Sequence, residues 1–327
     1  MRPLSELKER MKGVLVVQLT PFNKDGSLDL EGMRANTRWL AEHATGKDFT
    51  FTPVGSTGEF YAMSDDECKA VIKAVVEETN GRAAVMVGAA RAGTRETIKM
   101  CQYAQSVGAD GVQLVLPYYH IPEEEGMYLH YKKIAESVDP NFSMMVYNNP
   151  DVSGSWIKPP LMQKLSKIPN IVAIKENTPY ILSYLAMRRA VDVKDAAIFC
   201  GVGEVVFSVE ALYGCNGVVS GNANFAPDLT YSLYEATVAR DFDKATEIAN
   251  TYTLFFNFVR KLSANHGPAT NVAGYGGGGV GYMLIGARKA AMDIIGLRGG
   301  PPRLPLVDLT EEEKTELRSI LKDMKVI

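Results

Sequence analysis

The chain has 327 residues, 46% of them hydrophobic and 22% charged, with a formal net charge of -3 and a pI of about 5.9. That length suits one large α/β domain or two ordinary ones, and the near-neutral balance argues against a broad nucleic-acid or membrane-surface footprint. No apolar run approaches the roughly 20 residues of a membrane span, and the charged first residues do not resemble a signal peptide.

A cytoplasmic protein is therefore expected. The four cysteines and four histidines are dispersed, with neither a disulfide framework nor a metal-ligand spacing. In chain order, a β-rich run at residues 14–19 is followed by helical periodicity over 28–44, with Leu30, Met33, Thr37, Leu40 and Ala41 on one face. A second strand is predicted at 49–54 and a helix at 64–79, opened by the capping box Ser64 to Glu67. Strands at 84–88 and 111–116 alternate with helices at 94–107 and 123–137. Further strands are predicted at 143–147, 171–175, 197–200 and 217–220.

Eight strands alternating with helices predict a TIM (β/α)8 barrel. A doubly wound sheet is the weaker reading, because the first strand runs into Gln18-Leu19-Thr20-Pro21-Phe22 and not a Gly-x-Gly-x-x-Gly turn. Helices at 228–240, 243–259, 281–296 and 310–325 exceed what one closing helix needs. We expect the barrel over 1–227, then its closing helix and a C-terminal helical extension over 228–327. The run Ala273-Gly274-Tyr275-Gly276-Gly277-Gly278-Gly279-Val280-Gly281 lacks the Lys-Ser/Thr of a P-loop and is read as a connector.

Catalytic groups of a barrel gather at the C-terminal ends of its strands. The second strand leads into Gly55-Ser56-Thr57-Gly58-Glu59, whose turn amides can cradle an anion. The fourth leads into Pro117-Tyr118-Tyr119, the fifth into Tyr147-Asn148-Asn149-Pro150, and the sixth ends on Lys175. Neighbouring strands thus bring an amine and a phenol to one rim. A poorly solvated amine has a lowered pKa, attacks a ketone, and forms a Schiff base that acts as an electron sink. That chemistry needs neither a metal nor an organic cofactor.

Together these segments resemble the dihydrodipicolinate synthase/N-acetylneuraminate lyase family of class I pyruvate aldolases, over roughly residues 13–297. The resemblance implies Lys175 as Schiff-base lysine, Tyr147 as proton shuttle, and Ser56, Thr57 and the adjoining Gly58 around the substrate carboxylate. It also implies a homo-oligomer, usually a tetramer, with Tyr119 reaching into a neighbouring subunit's site and joining a relay through Ser56. Asn177, Glu204 and Asn222 stand where partners for the substrate's tail are expected.

The sequence also departs from the family. Val152 replaces the arginine that grips the aldehyde's carboxylate in the synthases, and Asp65 and Cys68 replace histidines of their lysine-feedback site. Gly203-Glu204 keeps only the glutamate of the lyases' Asp-Glu pair, and Gly221 replaces their serine. The expected function is a lyase acting on pyruvate or on a 2-oxo acid that yields it. Alternatives are a dehydratase or deaminase using the same lysine, a true dihydrodipicolinate synthase, and a non-catalytic metabolite binder.

Overall fold

Eight parallel strands pair in chain order and close into a barrel: β1 (Gly13–Val17), β2 (Phe49–Thr52), β3 (Ala84–Gly88), β4 (Gly111–Val115), β5 (Ser143–Asn148), β6 (Ile171–Glu176), β7 (Ala197–Cys200) and β8 (Gly217–Ser220). The computed structural model describes residues 2–178, 180–266 and 281–327. The glycine-rich stretch singled out above lies outside them, save for Gly281 at the start of a helix. β1, β2 and β4 stop short of their predicted ends. At β2 the reason is local: Pro53 has no N–H to donate, and Val54 adopts a φ of 59°. β5 and β6 each run one residue further than predicted, because Asn148 pairs with Glu176.

Alternate residues of each strand point inward. Ala173 and Lys175 share the interior face of β6, and Met145 and Tyr147 that of β5. Lower in the barrel the interior is apolar, with Leu15, Ala84, Met86, Met145, Ala173, Phe199 and Val219 in one cluster. Leu7 and Met11 join that cluster from α1 (Leu4–Arg10), a helix too short and too charged for periodicity to reveal. The interior turns polar toward the C-terminal rim, where Thr52, Gln113, Tyr147 and Lys175 lie buried.

The outer layer comprises α2 (Leu30–Ala44), α3 (Asp65–Thr79), α4 (Thr94–Ser106), α5 (Glu124–Ala135), the short α6 (Pro150–Ser153), α7 (Pro159–Ser166), α8 (Ile181–Ala190), α9 (Glu204–Glu210) and α10 (Pro227–Val238). The predicted Ser64 capping box is formed, with both reciprocal bonds present. Three helices follow the barrel: α11 (Phe242–Asn265), α12 (Gly281–Ile294) and α13 (Glu311–Asp323). Phe255, Leu262, Met283 and Leu317 share one core with Val14, Phe51 and Val218 of the barrel. The helical extension is thus packed onto the barrel wall and reaches its rim. Among the described residues no helix is long and apolar enough to cross a membrane.

Candidate active site

The register of β5 and β6 places Tyr147 directly beside Lys175. Both side chains face the interior, and Lys175 Nζ lies 3.7 Å from the centroid of the Tyr147 ring. Lys175 is only 5% exposed and donates to no acceptor among the described residues. Burial pushes its pKa from 10.5 down to about 7, and the positive charge of Arg288 acts in the same direction. Near neutral pH a substantial fraction of this amine is therefore unprotonated and nucleophilic.

Tyr147 is held from two sides. Its oxygen accepts a 2.6 Å bond from Asn149 Nδ2 and also hydrogen-bonds with Ser56. Asn149 is itself fixed, because its Oδ1 accepts from the Asp151 amide at the start of α6. Burial raises the phenol's pKa to about 12, opposed by the Asn149 and Ser56 bonds. With Asn149 donating, the phenolic proton is left for Ser56 or for a bound substrate. The phenol thus stays protonated at neutral pH, ready to give a proton to a developing alkoxide.

Ser56 and Thr57 sit half-buried in the loop after β2. The backbone there turns sharply, with positive φ at Val54 and Glu59. Gly58 is packed so closely that a Cβ would lie 2.8 Å from the Gln18 carbonyl. Thr20 Oγ1 braces the turn by donating to Gly58 O at 2.8 Å. The amides of Ser56, Thr57 and Gly58 donate to no protein acceptor among the described residues, as an anion nest requires. Glu59, next in the motif, turns away from the mouth and pairs with Lys289 at 2.5 Å.

Glu204 and Asn222, expected at the substrate's tail, are fully buried and serve each other. Asn222 Nδ2 donates to Glu204 Oε2 at 3.1 Å, and Ser220 Oγ donates to Glu204 Oε1. Asn222 Oδ1 accepts from Arg288 Nε at 2.9 Å. The reason these groups turn inward is Arg288 itself, which arrives from α12 and packs against the end of β8. A Cβ at Gly221 would lie 2.5 Å from its guanidinium carbon, so glycine is what lets the side chain pass. Burial lowers the Arg288 pKa to about 10 and raises that of Glu204.

Asn177 is half-buried just beyond β6, with its amide on Asn148 O at 3.0 Å and its Oδ1 against Gly201. A single chain does not bring Tyr119 to Lys175: the ring is 81% exposed and contacts His120 edge-on. Val152 lies on α6, 41% exposed, and adds no charge to that rim. Among the described residues no group of three or more His, Cys, Asp or Glu side chains is placed to hold a metal ion.

Sequence reasoning passed over Asn149 and Arg288. Asn149 was visible inside the Tyr-Asn-Asn-Pro motif, but which asparagine faces the phenol depends on the turn into α6. Arg288 carried one signal, a pair of adjacent cations (Arg288, Lys289) in an otherwise apolar helix.

Comparison with known proteins places the chain in one family. A model of the dihydrodipicolinate synthetase family matches residues 10–266. The 4-hydroxy-tetrahydrodipicolinate synthase of Archaeoglobus fulgidus is 32% identical over 316 residues, covering 97% of this chain and 99% of the relative. The crystal structure of dihydrodipicolinate synthase from Aquifex aeolicus superimposes with a TM-score of 0.82 at 27% identity, over 97% of this chain and 99% of that one. A prophage protein of the dihydrodipicolinic acid synthase family from E. coli K12, solved in complex with pyruvate, gives 0.84 at 26% identity over the same shares.

Proposed function

Because the chain belongs to the dihydrodipicolinate synthetase family, we propose that Lys175 is the nucleophile of a Schiff-base lyase working on pyruvate or on a 2-oxo acid that yields pyruvate. The protein is an enzyme of the lyase class, of the aldolase type. The observation that carries the residue assignment is the Lys175 amine lying on the Tyr147 ring with no acceptor among the described residues.

The neutral amine attacks C2 of the keto acid. The carbonyl oxygen takes a proton relayed by Tyr147 and leaves as water, giving a protonated imine. Electrons from the breaking C3–C4 bond, or from a C3–H bond in the reverse sense, flow into that imine and form the enamine. Tyr147, aligned by Asn149 and Ser56, moves the protons at the C4 oxygen. The amides of Ser56, Thr57 and Gly58 receive the carboxylate adjoining C2. No resident metal or organic cofactor enters this scheme; the covalent imine on Lys175 is the electron sink.

Tyr119 completes the relay only from a neighbouring copy, so the active form is a homo-oligomer. Its exposure, with Ile121 beside it 71% exposed, supports that reading. Val152 bears on the substrate, since a synthase's aldehyde carboxylate finds no guanidinium at the β5 rim.

The test is intact-protein mass spectrometry after incubation with pyruvate and sodium borohydride. A stable adduct on the wild type, absent from Lys175→Ala, is the expected result. Adducts on both would move the nucleophile elsewhere.

A further inference from the structure

Arg288 and Lys289 stand side by side on α12, and both are buried. Lys289 is neutralised by Glu59 and hydrogen-bonded to Pro301 O. Arg288 is not treated alike. Among the described residues only its Nε has an acceptor, the neutral Asn222. Its Nη1 and Nη2 donate to no acceptor among the described residues, and no carboxylate there lies within ion-pair distance of it. Glu204, the acidic group that acts on it most strongly, has its two oxygens engaged by Ser220 and Asn222. A guanidinium 7% exposed, with no carboxylate within ion-pair distance among the described residues, is costly to hold unless an anion arrives to complete it.

The surroundings favour holding it there. Gly221 clears its path, Asn222 orients it through Glu204 and Ser220, and the Lys289–Glu59 pair pins the register of α12. Arg288 packs against Gly221 and Asn222, just past the C-terminal end of β8, which puts it at the reactive end of the barrel, and its charge acts on Lys175. It stands on the β8 side, whereas the unpaired amides that suit the keto acid's own carboxylate follow β2. Two candidate anion sites thus stand at the rim, one in the turn after β2 and one beside the end of β8.

We infer that Arg288 is a specificity-determining anchor for a second carboxylate, carried on the tail of the substrate beyond the reacting carbon. The inference rests on the Schiff-base reading above. A carboxylate suits the site better than a phosphoryl group, because the two Nη groups, without acceptors among the described residues, match its planar fork, and the neighbouring cation Lys289 is already neutralised by Glu59. Asn222 and Glu204 are positioning residues in this account.

The experiment measures borohydride trapping with 2-oxoglutarate and with 2-oxopentanoate, which share a chain length and differ by the tail carboxylate. Wild type is expected to half-saturate with 2-oxoglutarate at a concentration at least about tenfold lower. Arg288→Gln is expected to erase that preference, weakening 2-oxoglutarate by clearly more than it weakens pyruvate. Arg288→Lys, should glutamine prevent folding, is expected to keep part of the preference. Equal saturation of wild type by the two acids overturns the inference. So does a glutamine variant that weakens pyruvate as much as 2-oxoglutarate, because the guanidinium then serves the shared carboxylate. Absence of any wild-type adduct marks failure of the Schiff-base reading instead. In that event, calorimetric titration with glutarate against butyrate reads the anchor without an imine. Arg288-dependent glutarate binding supports it, and equal weak binding of the two acids overturns it.

Discussion

Two lysines of this chain are buried, and they do opposite work. Lys289, at the junction of α12 with the loop after β2, is 0% exposed and meets Glu59 at 2.5 Å, with the Phe22 ring 4.3 Å away. Lys175, at the end of β6, has only the face of Tyr147 among the described residues. Burial lowers both pKa values, but at Lys289 Glu59 pulls back toward the charged form. The lesson is that burial alone does not make a lysine a nucleophile. The paired amine stays an ammonium and fastens a helix, while the unpaired one gives up its proton and can attack a carbonyl.

Lys175→Met is expected to cut steady-state turnover by roughly 10⁴-fold or more. It is also expected to stabilise the fold, which separates it from any structural lysine. The folded pKa of about 7 lies below the ordinary 10.5, so the folded state releases a proton that the unfolded chain keeps. The resulting penalty is full below pH 7 and fades as pH rises toward 10.5. Urea denaturation should therefore show a gain on the order of 3 kcal/mol for Lys175→Met at pH 6, shrinking by pH 10. A loss of stability at pH 6 would mean that the amine is not a strained, unpaired group.

Lys289→Met should do the reverse. It leaves Glu59 buried without its partner, and a loss of about 3–5 kcal/mol is expected in the same urea experiment. Pairing it with Glu59→Gln should recover part of that loss. No recovery would show that packing around Phe22, not charge, is what the lysine provides.

Tyr147→Phe sharpens the contrast at the reactive end. The ring beneath the amine remains while the proton relay is lost. A fall in kcat of about 10²–10⁴-fold is expected, with the borohydride adduct still formed. Unchanged kcat would remove Tyr147 from the relay. Gly221→Ala is the mildest change. Its methyl meets the Arg288 guanidinium, and a destabilisation of about 1–3 kcal/mol is expected by thermal or urea melting. An unaffected midpoint would mean that the arginine swings aside freely.

The sequence carried one side of the mouth better than the other. The fold was legible because β-rich runs and amphipathic helices alternate with little interruption, and Ser64 to Glu67 announced its own helix start. Lys175, Tyr147 and the Ser56-Thr57 turn were legible because each sits at or just after a strand end within a few residues of its neighbours. The β8 side was not. Arg288 and Asn222 meet across 66 residues of chain, through a helix packed on the barrel's edge, and no local pattern encodes that approach. For the same reason Glu204 and Asn222 were read from the sequence only as partners for the substrate's tail. Nothing near them in sequence announces the arginine that occupies them. α1 escaped because its seven residues bury little beyond Leu7.

The reactive amine is the buried one that has no acceptor among the described residues. The pH dependence of imine formation tests this assignment most directly, as the initial rate of borohydride-trapped pyruvate adduct at saturating borohydride. The account predicts a rate that rises through an apparent pKa of about 7 and then levels off, as the amine loses its proton. A rise that continues to the ordinary lysine value of 10.5 would place the nucleophile in open water and contradict it.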